Sequence, residues 1–95
     1  MISNGIICQA IAGRKTLTFT YEGANREVEP HLIGYDSDGG LTLSAWQLSG
    51  GSGTGFRDFH VSKLSALSTG QHTFEGPRAG YNRWDKTIDR VLCRL

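Results

Sequence analysis

The sequence lacks the marks of several protein classes. No apolar run approaches the ~20 residues that a membrane-spanning helix needs. The stretch from Met1 to Gly13 has no basic start and contains Gln9, which makes it a poor secretory leader. These two absences point to the cytoplasm and away from the membrane. Cysteine is scarce. Cys8 and Cys93 stand near opposite ends with no Cys-x-x-Cys, so neither a zinc knuckle nor a thioredoxin-type pair is written here. Both cysteines read as small buried hydrophobes of a reducing compartment. No internal repeat is visible.

An excess of charge of one sign is also missing. The net charge is +1, which gives no global case for a nucleic-acid partner. The distribution is uneven, however. Residues 1–55 hold three bases against five acids, and residues 56–95 hold seven bases against four acids. A local basic surface in the second half is therefore expected, without a DNA-coating protein. With 95 residues and 38% hydrophobic residues, the chain has room for one domain around one modest core.

What is present is mostly β periodicity. Ser3 or Asn4 can cap a short helix, in which Ile6, Ile7, Ala10 and Ile11 form one stripe and Gly13 is a stop. The period then becomes two. Leu17, Phe19 and Tyr21 alternate with Thr16, Thr18 and Thr20, the clearest strand in the chain. Glu22 to Asn25 is turn chemistry. Arg26 to Tyr35 reads as a second strand, with Pro30 placing it at an edge or a bulge. Asp36 to Gly40 is a tight hairpin loop.

Leu41 to Leu48 is a third strand, with Leu41, Leu43 and Ala45 facing one way and Thr42, Ser44 and Trp46 the other. Ser49 to Gly55 is a Ser/Gly loop, flexible by composition. Phe56 to Val61 is a fourth strand with Phe59 and Val61 inward, and Val61 to Leu67 gives a turn and a fifth strand. Gly70 to Gly80 reads as a loop. At the end, Ile88, Val91, Leu92 and Leu95 fit a helix stripe from Trp84, while 87–95 fits a closing strand equally well. Short strands joined by Gly-rich turns argue for a small barrel or a strongly bent sheet.

Reaction chemistry is poorly served. His31, His60 and His72 have no partner at metal-ligand spacing, and the one pair on a strand face, Asp58 and His60, reads as solvated. A Gly-x-Ser-x-Gly elbow at Ser52 fails because position 54 is Thr. Gly51 to Gly55 lacks the Gly-Lys-Ser/Thr ending of a phosphate loop. The expectation is no enzyme, no metal and no cofactor.

One cluster invites a binding function. Arg26, Glu29-Pro30-His31 and Arg57-x-Phe59 fall on strands expected to be neighbours. An arginine fork suits phosphate or carboxylate, and His31 and Tyr21 add directional donors. The bland alternative pairs Arg26 and Arg57 with Glu27 or Glu29 on the exterior.

The stretch 10–64 resembles the WYL domain of bacteria and their phages. The resemblance rests on a helix ending before Lys15, Tyr21-x-Gly23 followed by Arg26, and Val28-Glu29-Pro30-His31-Leu32. A third strand ending near Ala45-Trp46 and Phe56-Arg57-x-Phe59-x-Val61-x-Lys63-Leu64 complete it. The triplet that names the family falls at Leu41-Thr42-Leu43 and keeps only its last residue. The missing Tyr hydroxyl alters any pocket on that face.

The resemblance implies an Sm-like, SH3-type β-barrel with a short N-terminal helix, forming one domain with 69–95 as an extension. It implies a regulatory sensor, in this family usually placed behind a winged-helix DNA-binding domain in transcription regulation. One short helix cannot make a helix-turn-helix, so a free-standing version is expected. The ligand-contacting positions carried over are Tyr21, His31, Ser44 and Arg57, with Arg26 and Lys63 beside them. The expected ligand is anionic, a nucleotide or single-stranded nucleic acid, with Tyr21 or Trp46 available to stack a base. The alternative is a protein-interaction or homo-oligomerisation module without a nucleic-acid ligand, built on edge pairing of the sheet.

Overall fold

A computed structural model describes residues 4–51 and 53–95. Ser3, one of the two cap candidates, and Ser52, of the failed nucleophile elbow, lie outside the described residues. The helix α1 (Asn4–Gly13) buries Ile7, Ala10 and Ile11, while Ile6 at the rim of the stripe remains 37% exposed. The chain leaves the helix through Arg14, whose φ of 53° is left-handed without being glycine. The neighbourhood holds it there. Its N–H bonds to the Ile11 carbonyl at 3.2 Å, its carbonyl accepts from the Phe74 N–H at 2.9 Å, and its guanidinium donates to the Glu75 carbonyl at 2.7 Å.

Six strands follow: β1 (Lys15–Tyr21), β2 (Ala24–Asp36), β3 (Leu41–Ser49), β4 (Gly55–His60), β5 (Ser65–Thr73) and β6 (Ile88–Arg94), with a 3-10 turn at Val61–Lys63 between β4 and β5. The β1–β2 hairpin closes on Glu22 and Gly23, with φ of 51° and 77°. Two left-handed residues in a two-residue loop make the turn whose twist matches that of the strands. The β2–β3 loop is shaped by Asp36, whose Oδ1 accepts the N–H groups of Asp38 and Gly40 at 2.9 Å each.

The sheet is antiparallel, in the order β4-β3-β2-β1-β5, with β6 also on β2. It is mainly β, with one short N-terminal helix, as the periodicity predicts. It is not closed into a barrel: among the described residues β4 and β5 do not pair. The long β2 explains the arrangement. Its first half, from Ala24 to Val28, pairs with β1, and its second half, from Leu32 to Asp36, pairs with β6. Pro30 sits between these two stretches, where the register with β3 also shifts between Pro30 and Leu32. A residue without an N–H is tolerated where the ladder changes partner, and the expected bulge is there.

Alternation divides the sheet into two faces. The helix face carries Leu17, Phe19, Tyr21, Val28, Ile33, Leu43, Ala45 and Phe59, packed under α1 as the main core. The Phe59 ring meets Phe19 and Tyr21 edge-on at 5.0 Å each. The opposite face carries Glu29, Ser44, Trp46, Phe56, Asp58 and His60, in the registers Glu29↔Trp46, Ser44↔Asp58 and Trp46↔Phe56. The segment 74–87 crosses this second face, so we call it the strap.

Three expectations change. The loop read over 70–80 starts later, because β5 continues through Thr73 with Thr18 and Lys15 as partners for Ser68 and Thr73. The ambiguous tail is a strand over Ile88–Arg94, decided by pairing with β2 rather than by its own periodicity. The cysteines are not free hydrophobes: Cys8 and Cys93 form a disulfide across 85 residues of sequence, with Cα atoms 5.6 Å apart. The pairing of β6 beside α1 brings them together, which sequence distance conceals. A lasting disulfide belongs to oxidising surroundings, against the reducing compartment expected from the sequence. Among the described residues no helix is long and apolar enough to cross a membrane.

Candidate functional site

The six candidate residues are divided between the faces. Tyr21 and Arg26 lie on the helix face and are used internally. Tyr21 is 7% exposed, and its hydroxyl accepts the His60 N–H at 3.2 Å. The Arg26 guanidinium donates to the Tyr21 carbonyl from Nε and Nη2 at 3.3 and 3.2 Å, and to Gln47 Oε1 from Nη1 at 2.9 Å. It also lies 5.4 Å over the Tyr21 ring and 5.7 Å over that of Phe59. Gln47, fully buried, uses its amide to hold the carbonyls of Gly50 and Gly53 at 2.7 and 2.6 Å. Gly50 and Gly53 of the Ser/Gly loop are therefore pinned from beneath. Gly50 must lack a side chain, since a Cβ there would strike the Asn25 carbonyl.

Arg57, opposite Ala45, shares the helix face by register and is half-buried, with Nη1 at 3.4 Å from the Phe56 carbonyl. Lys63 ends the 3-10 turn and is exposed. The bland pairing of Arg26 and Arg57 with Glu27 or Glu29 does not account for either acid. Glu27 pairs with His72 at 2.8 Å, a hydrogen bond that lowers its carboxyl pKa, and Glu29 pairs with Arg78.

His31 and Ser44 lie on the strap face. His31 is fully buried and organises the surface around it. The Arg78 backbone N–H, which can only donate, reaches its Nε2 at 3.0 Å. Nδ1 therefore carries the proton and donates to the Glu29 carbonyl at 2.8 Å. The ring is neutral, and its burial pushes the pKa below the usual histidine value. The His31 carbonyl accepts from the Tyr81 hydroxyl at 3.3 Å and the Leu95 N–H at 2.9 Å. One residue thus fastens the strap and the end of β6.

Aromatic rings close the surroundings. His31 stacks on Phe74 at 5.7 Å and meets Phe56 and Tyr81 edge-on at 5.1 and 5.0 Å. Trp46 meets Phe56 edge-on at 5.2 Å, with the Arg78 guanidinium 5.1 Å over its ring. That guanidinium grips Glu29 with both arms at 2.8 and 2.9 Å, and Glu29 is only 4% exposed. The Trp46 indole N–H is enclosed and finds no acceptor among the described residues. A groove of about 590 Å³ runs beside the pair, lined by Glu29, Thr73 at the end of β5 and the strap from Phe74 to Arg78.

Ser44 sits further along this face, hydrogen-bonded to Asp58. Desolvation and the nearby Asp85 together raise the Asp58 pKa, the first more than the second. Among the described residues no three His, Cys, Asp or Glu side chains converge as metal ligands.

Phe74, Arg78 and Tyr81 are the residues that sequence reasoning missed. Phe74 and Tyr81 carried one signal, aromatic rings within a Gly/Pro/polar stretch where a solvated loop has no use for them, and Arg78 carried none.

The basic residues at the end of the chain behave differently from Arg26 and Arg78. Lys63, Arg83, Lys86 and Arg90 are exposed and make no ion pair among the described residues. Arg94, on β6, stacks at 4.6 Å on Trp84, which is 72% exposed. Compared with protein-family models, curated proteins and solved structures, the chain matches none of them.

Proposed function

We propose that this protein is a non-enzymatic, WYL-type regulatory module that binds an anionic ligand, a nucleotide or single-stranded nucleic acid. The observation that carries the reading is the outward charge of the second half. The bases of residues 1–55 include Arg26, whose donors are consumed inside the fold. Lys63, Arg83, Lys86 and Arg90 all point to solvent without an ion-pair partner among the described residues. Unneutralised arginines and lysines on a small surface attract phosphate through charge-assisted bonds.

The Sm-like reading draws support from the way β5 returns to pair with β1 after the four-strand meander β1 to β4. Within the expected contact set, Arg57 and Lys63 are the positions kept as ligand contacts. Tyr21, Arg26 and His31 act in this proposal as the scaffold beneath them, and Ser44 orients Asp58.

Fluorescence anisotropy with a labelled single-stranded oligonucleotide at two salt concentrations tests the proposal. Binding through two or three phosphates gives a salt slope of about −0.7 per contact. Arg57→Ala weakens it by on the order of tenfold, and Arg57→Lys restores it only in part. No binding at low salt and high micromolar protein rejects the reading. The protein-interaction alternative would then take its place, with the unpaired edges of β4 and β5 as its docking strands.

A further inference from the structure

Trp84 is the largest apolar side chain left in water. It is 72% exposed, and the only other large hydrophobic at the surface among the described residues is Ile6 at 37%. The ring is not on a loose loop. The Trp84 N–H donates to Asn82 Oδ1 at 3.1 Å, and Asp85 Oδ1 takes the Thr87 N–H and hydroxyl at 2.9 and 2.7 Å. The next residue but three, Ile88, begins β6 and bonds back to the Asp85 carbonyl at 3.1 Å. One side of the indole is covered by the Arg94 guanidinium at 4.6 Å. Among the described residues no other ring or cation stacks on it.

Around it three cations, Arg83, Lys86 and Arg94, outnumber one acid, Asp85, whose carboxylate is bonded to Thr87. Arg83 and Lys86 flank it in sequence and are exposed. Arg94 approaches the ring from β6, and the charges of Arg83 and Arg94 both partly oppose the upward push of burial on the Tyr81 pKa. A protein-docking patch would surround the ring with further apolar side chains, which are absent from Asn82 to Lys86. A cationic ligand would be repelled. An aromatic face backed by arginine and edged with positive charge suits a planar base attached to phosphate. The base must be unpaired, because only a splayed base offers its face.

We infer that Trp84, backed by Arg94, is a stacking platform for an unpaired base of single-stranded nucleic acid, with Arg83 and Lys86 contacting the adjoining phosphates. This rests on the anionic-ligand reading above and adds to it a site in the strap, outside the stretch that resembles the WYL domain.

The test is anisotropy with a short fluorescein-labelled oligothymidine, and with an abasic sugar-phosphate strand of the same length. Trp84→Ala should weaken oligothymidine binding on the order of tenfold or more. Trp84→Phe should keep most of the affinity, and the abasic strand should bind wild type and Trp84→Ala alike. Circular dichroism and thermal melting should be unchanged, since the ring is exposed. If wild type binds oligothymidine and Trp84→Ala binds it equally, the platform is wrong while the anionic-ligand reading stands. If Trp84→Ala loses both probes equally, the ring is not a base contact and the inference is overturned. If wild type binds neither probe, the underlying reading fails too. If Trp84→Ala instead turns an oligomer into a monomer in sedimentation velocity, the surface is a protein contact and the platform is rejected.

Discussion

The two faces of the sheet are both covered, but by opposite chemistry. Under α1 the core is aliphatic and aromatic, and the Arg26 cation at its edge is held by carbonyl and amide oxygens and by two rings. Under the strap, the buried groups are a neutral histidine and a carboxylate, paired with a backbone N–H and a guanidinium. Stability on the helix face comes from apolar area, which is non-directional and tolerates small shifts. The strap face depends on hydrogen bonds that fail as a set when one partner is removed. The same C-terminal segment serves both: Phe74, Arg78 and Tyr81 enter the strap face, and Cys93 reaches the helix.

The largest expected effect tests whether the C-terminal segment needs its covalent tie. Replacing both cysteines, Cys8→Ala with Cys93→Ala, releases a constraint spanning 85 residues. Chain-entropy reasoning puts the loss at about 4–5 kcal/mol, read by urea denaturation of the double variant against wild type. A loss under ~1 kcal/mol would mean that β6 holds to β2 without the tie.

Next comes Phe59→Ala, in the centre of the helix face and 1% exposed. It should cost roughly 3–5 kcal/mol, with hydrogen exchange accelerated throughout the sheet. A change within ~0.5 kcal/mol would place Phe59 at the surface and break the comparison outright. Arg78→Ala should cost less than Phe59→Ala and act locally. It removes both arms from the Glu29 carboxylate and the cation from Trp46. Faster exchange confined to the strap and the end of β6 would sharpen the contrast. Uniform acceleration would show that the two faces unfold as one.

Much of the helix face was legible in the sequence, and little of the strap face was. Leu17, Phe19 and Tyr21 announce their strand by alternation, and the helix stripe is written at Ile7, Ala10 and Ile11, because local periodicity and burial agree there. Pro30 likewise marks its bulge. The strap has no period. Phe74, Arg78 and Tyr81 become neighbours of His31 only through pairings some fifty residues apart in sequence. For the same reason the Cys8–Cys93 bond was missed. The candidate site suffered in a related way. Tyr21, Arg26 and His31 were chosen for their donors, but a donor's availability depends on which acceptors the fold brings to it. Strand register puts Arg26 beside Gln47, and His31 between Glu29 and Arg78.

The smallest expected effect is the acid sensitivity of the strap face. His31 has its pKa lowered from the usual 6.5, first because burial disfavours the imidazolium, with the Arg78 charge acting in the same direction. The folded ring therefore binds its proton less readily than the unfolded one. Stability is fully present above about pH 6.5 and falls as the pH drops through that value, until the buried ring itself protonates. Between those limits the slope approaches about 1.4 kcal/mol per pH unit for one proton. Protonation also puts a hydrogen on Nε2, facing the Arg78 N–H that it now accepts from, so the strap should open before the helix face does. Urea midpoints at pH 7 and at pH 5.5, with hydrogen exchange read separately for the strap and for β1, check both statements. His31→Gln should be less stable at pH 7 and should flatten the slope over this range. A slope that is unchanged in His31→Gln would assign the acid sensitivity to other groups.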